Sequence, residues 1–117
     1  MRTGSVSHLI QSDCAAGYLH PKARDAARRF PREARVRLGK ELFRLQIGMP
    51  ISRPMPVVSA GVSELRVKGE SGTFRVFYYL ASPKGLLVFH AFLKKTQRTP
   101  PLEIELARKR LKELLDA

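Results

Sequence analysis

From residue 21 the apolar positions follow a helical period. Ala23, Ala26, Ala27 and Phe30 recur at helical spacing behind Pro21, a residue suited to a first helical position. Phe30-Pro31 ends this segment, because the residue before a proline is pushed out of the α region. A second helix is predicted from Pro31 to about Ile47, with Ala34, Leu38, Leu42 and Leu45 on one face and Gly48 just past its end. Arg32, Arg35, Arg37, Lys40 and Arg44 cover its other sides. Together the two segments predict a helical hairpin with a basic outer surface.

After Pro50, Pro54 and Pro56, which enforce an extended crossover, the period changes to two. Glu64-Leu65-Arg66-Val67-Lys68 alternates, so Glu64, Arg66 and Lys68 share the wet face of a strand. Gly69 to Gly72 and Ser82 to Gly85 are turns. Between them Thr73 to Leu80 is rich in Phe, Val and Tyr, with Arg75 among them. Leu86 to Phe92 is almost continuously apolar, as in a strand buried on both faces. Thr99 as N-cap and Pro100 at the first position open a last helix, whose buried side is predicted from Leu102, Ile104, Leu106, Ala107, Leu111, Leu114 and Leu115. The fold class is α+β: an N-terminal helical hairpin packed on a small antiparallel sheet, with a C-terminal helix. Residues 1–20 are poorly determined, with a short strand at Val6 to Ile10 as one reading. Residues 21–117 read as a single domain.

Composition changes the picture through charge. The 117 residues carry 22 Lys and Arg against 10 Asp and Glu, a formal net charge of +12. An excess that large repels itself and implies a polyanionic or acidic partner. One cysteine, Cys14, excludes an internal disulfide and a multi-cysteine zinc site. No run is long enough to span a bilayer and the N-terminus does not resemble a signal peptide, so a cytoplasmic location is expected. A membrane-surface role is not expected either, since no strongly amphipathic basic helix with large exposed aromatics is evident.

The positive charge has a focus. No acidic residue lies between Glu70 and Glu103, an interval holding Arg75, Lys84, Lys94, Lys95 and Arg98, with Arg66 and Lys68 just before it. These cations are interleaved with Phe74, Phe77, Tyr78, Tyr79, Phe89 and Phe92, which are core residues on the simplest view. Arg75 either emerges to bind phosphate or pairs with Glu64 or Glu70. His90, alone in an apolar strand, is either a satisfied core histidine or a proton carrier facing the Arg75 groove. His8 and His20 have no evident companions, and no metal-ligand spacing is present.

Several stretches together resemble a known family. They are Glu64-Leu65-Arg66-Val67-Lys68, Gly72-Thr73-Phe74-Arg75-Val76-Phe77-Tyr78, and Val88-Phe89-His90-Ala91-Phe92-Leu93-Lys94-Lys95-Thr96-Gln97-Arg98-Thr99-Pro100. With Phe30-Pro31-Arg32-Glu33-Ala34, Arg53-Pro54-Met55-Pro56 and Glu103-Ile104-Glu105-Leu106-Ala107, they resemble the phage-derived, HigB-like toxins of the RelE/ParE superfamily. The resemblance implies a RelE-like fold and the toxin of a type II toxin–antitoxin pair, with a helix-turn-helix antitoxin, the ribosome and mRNA as partners and no cofactor. It implies an endoribonuclease that drives a ribose 2′-OH onto the adjacent phosphate without a metal. Carried over by position, Lys68 is the candidate base, Arg75 the phosphate-stabilising cation, and Lys94 and Lys95 the post-strand cations. His90 is auxiliary, and Arg66, Lys84, Thr96 and Arg98 are candidate RNA contacts. The C-terminal catalytic tyrosine of some relatives has no counterpart after Lys95. Two other activities remain open on one scaffold: a ParE-like gyrase inhibitor, and an inactive basic binding module.

Overall fold

A computed structural model describes residues 17–48, 53–82, 85–95 and 98–116. Its elements run β1 (Gly17–Leu19), α1 (Pro21–Arg28), α2 (Arg32–Gln46), β2 (Val62–Gly69), β3 (Gly72–Ser82), β4 (Gly85–Lys94) and α3 (Pro101–Asp116). The helix boundaries follow the sequence signals closely. Pro21 is the first residue of α1, and the break at Phe30-Pro31 separates α1 from α2. Gly48, just beyond α2, takes φ +88, a left-handed conformation that costs glycine little. α3 begins one residue later than its proline pair suggested, with the Pro100 carbonyl accepting from the Glu103 N–H.

The strands lie in the order β1-β4-β3-β2. The β2–β3 and β3–β4 pairs are antiparallel, whereas β1 runs parallel to β4. The expected antiparallel sheet following a hairpin is therefore corrected: a strand precedes the helices, and the sheet is four-stranded and mixed. The strand at Gly17–Leu19 has only three residues, too few to show a period. The alternative strand at Val6 to Ile10, with His8 and Cys14, lies outside the described residues. The expected packing of both N-terminal helices on the sheet is seen. α1 docks over β4 and α2 over β2, so each helix finds its principal apolar partner in the sheet.

The two faces of the sheet hold separate cores. On one face Ala23, Ala27, Phe30, Ala34, Leu38, Leu42 and Leu45 meet Leu65, Val67, Phe74, Val76 and Val88. On the other, Ala107, Leu111 and Leu114 of α3 cover Val62, Phe77, Leu87, Phe89 and Phe92. Leu86 to Phe92 is buried throughout, consistent with a central strand covered on both sides. Leu102 and Leu115, expected in the core, are exposed instead, because the apolar stripe of α3 is narrower than the sequence suggests. Arg108 reaches back from α3 to the Val57 carbonyl and, at 3.2 Å, to that of Val58, tying the crossover to the helix. The buried face of α2 is the expected one, and Phe43 stands exposed outside it. No described helix is long and apolar enough to cross a membrane.

Candidate functional site

Pairing register decides which side chains share a surface. Across β2, β3 and β4 the structure sets three rows: Lys68–Thr73–Lys94, Arg66–Arg75–Phe92 and Glu64–Phe77–His90. Directly paired residues project to the same side of a sheet, so all three rows lie on the α3 face. The α3 helix covers only part of it, over Phe77, Phe89 and Phe92. The Lys68 row and the charged end of the Arg66 row fall beyond that apolar cover. Lys68, Arg75 and Lys94, distant in the chain, thus occupy one side of one sheet.

Arg66 and Arg75 are direct cross-strand partners, an arrangement of like charges that destabilises a sheet unless compensated. Glu64 compensates. Its Oε1 accepts from Arg66 Nε at 2.8 Å and from Arg75 Nη1 at 2.9 Å, and its side chain is only 1% exposed. The alternation in β2 placed Glu64 on the wet face; the face is right, but two arginines bury the carboxylate. Arg75 is correspondingly buried rather than emergent, which realises the pairing alternative for that residue. Glu64 Oε2 and Arg75 Nε are buried without a hydrogen-bond partner, so the cluster retains unmet hydrogen-bonding capacity. A buried ion pair seldom improves on well-packed apolar residues in stability. Stability alone therefore gives little reason for this cluster.

Lys94 closes the row beside Arg75. Burial pushes its ammonium pKa below the usual lysine value, and the positive charges of Arg75 and Arg66 push it further, while Glu64 pulls it partly back. The turn that brings β3 against Lys94 requires Gly72, at φ +141, where a Cβ would stand 3.0 Å from the Lys94 carbonyl oxygen. A hollow of about 850 Å³ opens beside the cluster and over the edge of β2, lined by Arg66, Lys68, Thr73 and Arg75. Arg37 and Lys40 of α2 and Arg53 of the crossover add three further cations. Arg37 donates to the Lys68 carbonyl at 3.0 Å and holds α2 to this edge. Sequence reasoning did not place these three cations at the site, because their position depends on how α2 and the crossover border β2, and it named Glu64 only as one of two possible partners of Arg75. The one local signal was Glu64 standing two residues before Arg66.

The remaining predicted residues separate. Lys95 is exposed at the end of β4. Arg98 lines a different hollow, with Met55, Val57 and Ile104 by α3, away from the one beside Arg75. Lys84 and Thr96 lie outside the described residues. His90 is a satisfied core histidine. Its Nδ1 accepts from Arg110 Nη1 at 2.7 Å, which leaves Nε2 to donate to Glu103 at 2.7 Å. Burial lowers its pKa, with Glu103 opposing and Arg110 adding to the effect. Phe92 stands between it and the Lys94 row. His20, expected to have no companions, caps α1 by accepting from the Lys22 N–H at 3.1 Å and bonds Glu113 of α3 at 2.9 Å. Among the described residues no group of three His, Cys, Asp or Glu side chains could hold a metal ion.

Residues 25–112 match the model of a family described as Phage derived protein Gp49-like (DUF891). No curated protein and no solved structure matches the chain significantly. The matched span takes in α2, the sheet from β2 to β4 and most of α3, and with them every member of the charged cluster. The chain belongs to the Gp49-like phage-derived proteins, a RelE/toxin-like family of toxin–antitoxin systems.

Proposed function

We propose that the protein is the toxin of a type II toxin–antitoxin pair and acts as a ribosome-dependent, HigB-like mRNA endoribonuclease. The observation that carries this reading is the Glu64-braced Arg66–Arg75 pair beside a lysine whose proton is loosened. In its neutral form Lys94 accepts the proton of a ribose 2′-OH. The 2′-oxygen then bonds to the adjacent phosphorus, and the bond from phosphorus to the 5′-oxygen breaks. Arg66 and Arg75 face the charge that develops on the phosphoryl oxygens, and Glu64 fixes both in place beforehand. A proton from Lys68, in the same cross-strand row as Lys94, reaches the departing 5′-oxygen. The products are a 2′,3′-cyclic phosphate and a 5′-hydroxyl, and no other reactant is consumed. The base role thus moves from Lys68 to Lys94, because burial and two neighbouring arginines act on Lys94.

A translating extract given the purified protein tests the proposal. Message cut within codons, with cyclic phosphate ends, is the expected result, and Arg75→Ala abolishes both the cutting and the growth arrest. Growth arrest with every message intact overturns it, and DNA breaks in that setting indicate gyrase instead. One observation favours an inactive binding module: Arg75 is engaged by Glu64. Tight RNA binding with neither cutting nor toxicity would establish that alternative.

A further inference from the structure

The cluster on the sheet leaves α2 unexplained. Its inner face is committed to the core through Ala34, Leu38, Leu42 and Leu45. On the opposite side Val36, Phe43 and the C-cap residue Ile47 are 43%, 40% and 50% exposed. With Lys40 they follow a 4-3-4 spacing that brings the four residues within a sector of about 60°, along about 16 Å of helix. Isolated exposed apolar residues need no explanation, but an aligned set opposite the core does. A sector this narrow matches a helix–helix seam, whereas a face lying in a bilayer is broader. Lys40, in the middle of the seam, would also place a charge at the centre of any membrane contact.

We propose that this seam is a docking surface for an acidic amphipathic helix of a partner protein. Charge selects that occupant. The α2 segment carries five Arg and Lys against two Glu, so the surroundings of the seam are cationic. A second copy would bring like charge against like. Residues 1–16 hold one acidic residue, Asp13, against Arg2, and offer no complementary charge. The matching partner presents apolar residues at the same 4-3 spacing, carboxylates along both flanks, and one carboxylate opposite Lys40 that fixes its register. Arg37 and Lys40 also line the hollow beside β2, so a helix seated here borders that hollow. The proposal does not depend on RNA cleavage.

The test uses the full chain and a fluorescein-labelled synthetic helix of about three heptads, with leucines at the seam positions and glutamates on the flanks. Anisotropy is expected to report saturable binding that weakens with salt and falls by about tenfold in Phe43→Ser. Leu102→Ser, which removes an exposed leucine from α3, leaves the affinity unchanged, and unaltered thermal melts establish that both variants fold. Equal binding by Phe43→Ser overturns the proposal, as does equal binding of a peptide with the same glutamates and scrambled leucines. Two further outcomes also overturn it. One is stronger Phe43-dependent binding to phosphatidylglycerol vesicles than to the peptide. The other is concentration-dependent self-association that Phe43→Ser removes.

Discussion

Two polar clusters lie on the same face of the sheet, and they differ in what covers them. Under α3, His90 gives its two ring nitrogens to Glu103 and Arg110 and is left with no free valence. Beyond the apolar cover, Glu64 holds two arginines but leaves Oε2 and Arg75 Nε without partners, and the cluster borders an open hollow. The first is saturated and acts as a fastener between strand and helix. The second is braced yet unsaturated. Residue type does not distinguish them, since each combines a carboxylate with basic groups. Coverage does, and coverage is set by how far α3 extends across the sheet.

The comparison breaks most sharply at Lys94. Lys94→Met keeps the length of the side chain and removes its proton chemistry, so cutting is expected to fall by about 100-fold or more while the melting temperature holds. His90→Phe should show the reverse pattern, with cutting retained and stability reduced. Loss of cutting in His90→Phe with unchanged stability would erase the distinction between the clusters.

Glu64→Ala tests the brace. It leaves Arg75 buried without its counter-charge, a loss of about 3–5 kcal/mol by chemical denaturation. Glu64→Gln is gentler and more informative. Glu64 is the group that raises the Lys94 pKa against burial and the arginines. Rate against pH should therefore rise as Lys94 loses its proton, and the Gln variant should move that limb to lower pH. A limb that stays in place removes Lys94 from the mechanism.

A smaller effect comes from acid. The folded-state pKa of His90 lies below its unfolded value of about 6.5, so the unfolded chain binds more protons in the interval between them. Its contribution to stability is complete above that pH and declines as pH falls toward the folded value. Melting temperatures measured from neutral pH downward should decline in the parent chain and decline less steeply in His90→Phe. Identical slopes would mean that His90 is not the group responsible.

Much of this architecture was legible from local pattern. Ala34, Leu38, Leu42 and Leu45 do face the core, and Leu86 to Phe92 is a strand buried on both sides. The gathering of Lys68, Arg75 and Lys94 on one face depends on the register and on β4 running to Lys94, beyond the Leu86 to Phe92 strand read from pattern. What pattern could not supply was register and coverage. The shift between Phe77 and Tyr78 sets Phe89 and His90 together against α3, and no alternation rule locates such a bulge. Glu64 reads as a wet-face residue and as one of two possible partners of Arg75 until the register brings two arginines over it. The partners of His90 stand 13 and 20 residues away, on a helix whose docking angle the sequence does not encode locally.

The strand order has a consequence for synthesis. Among the described residues β4 lies between β1 and β3, so β1 has no described neighbour in the sheet until β4 has been made. Gly17 waits for Leu86, and the row that begins at Lys68 is finished only by Lys94. A chain interrupted before that lysine emerges from the ribosome would carry most of the positive charge but no assembled cationic row. Emergence of β4 is thus the step that assembles the cationic row.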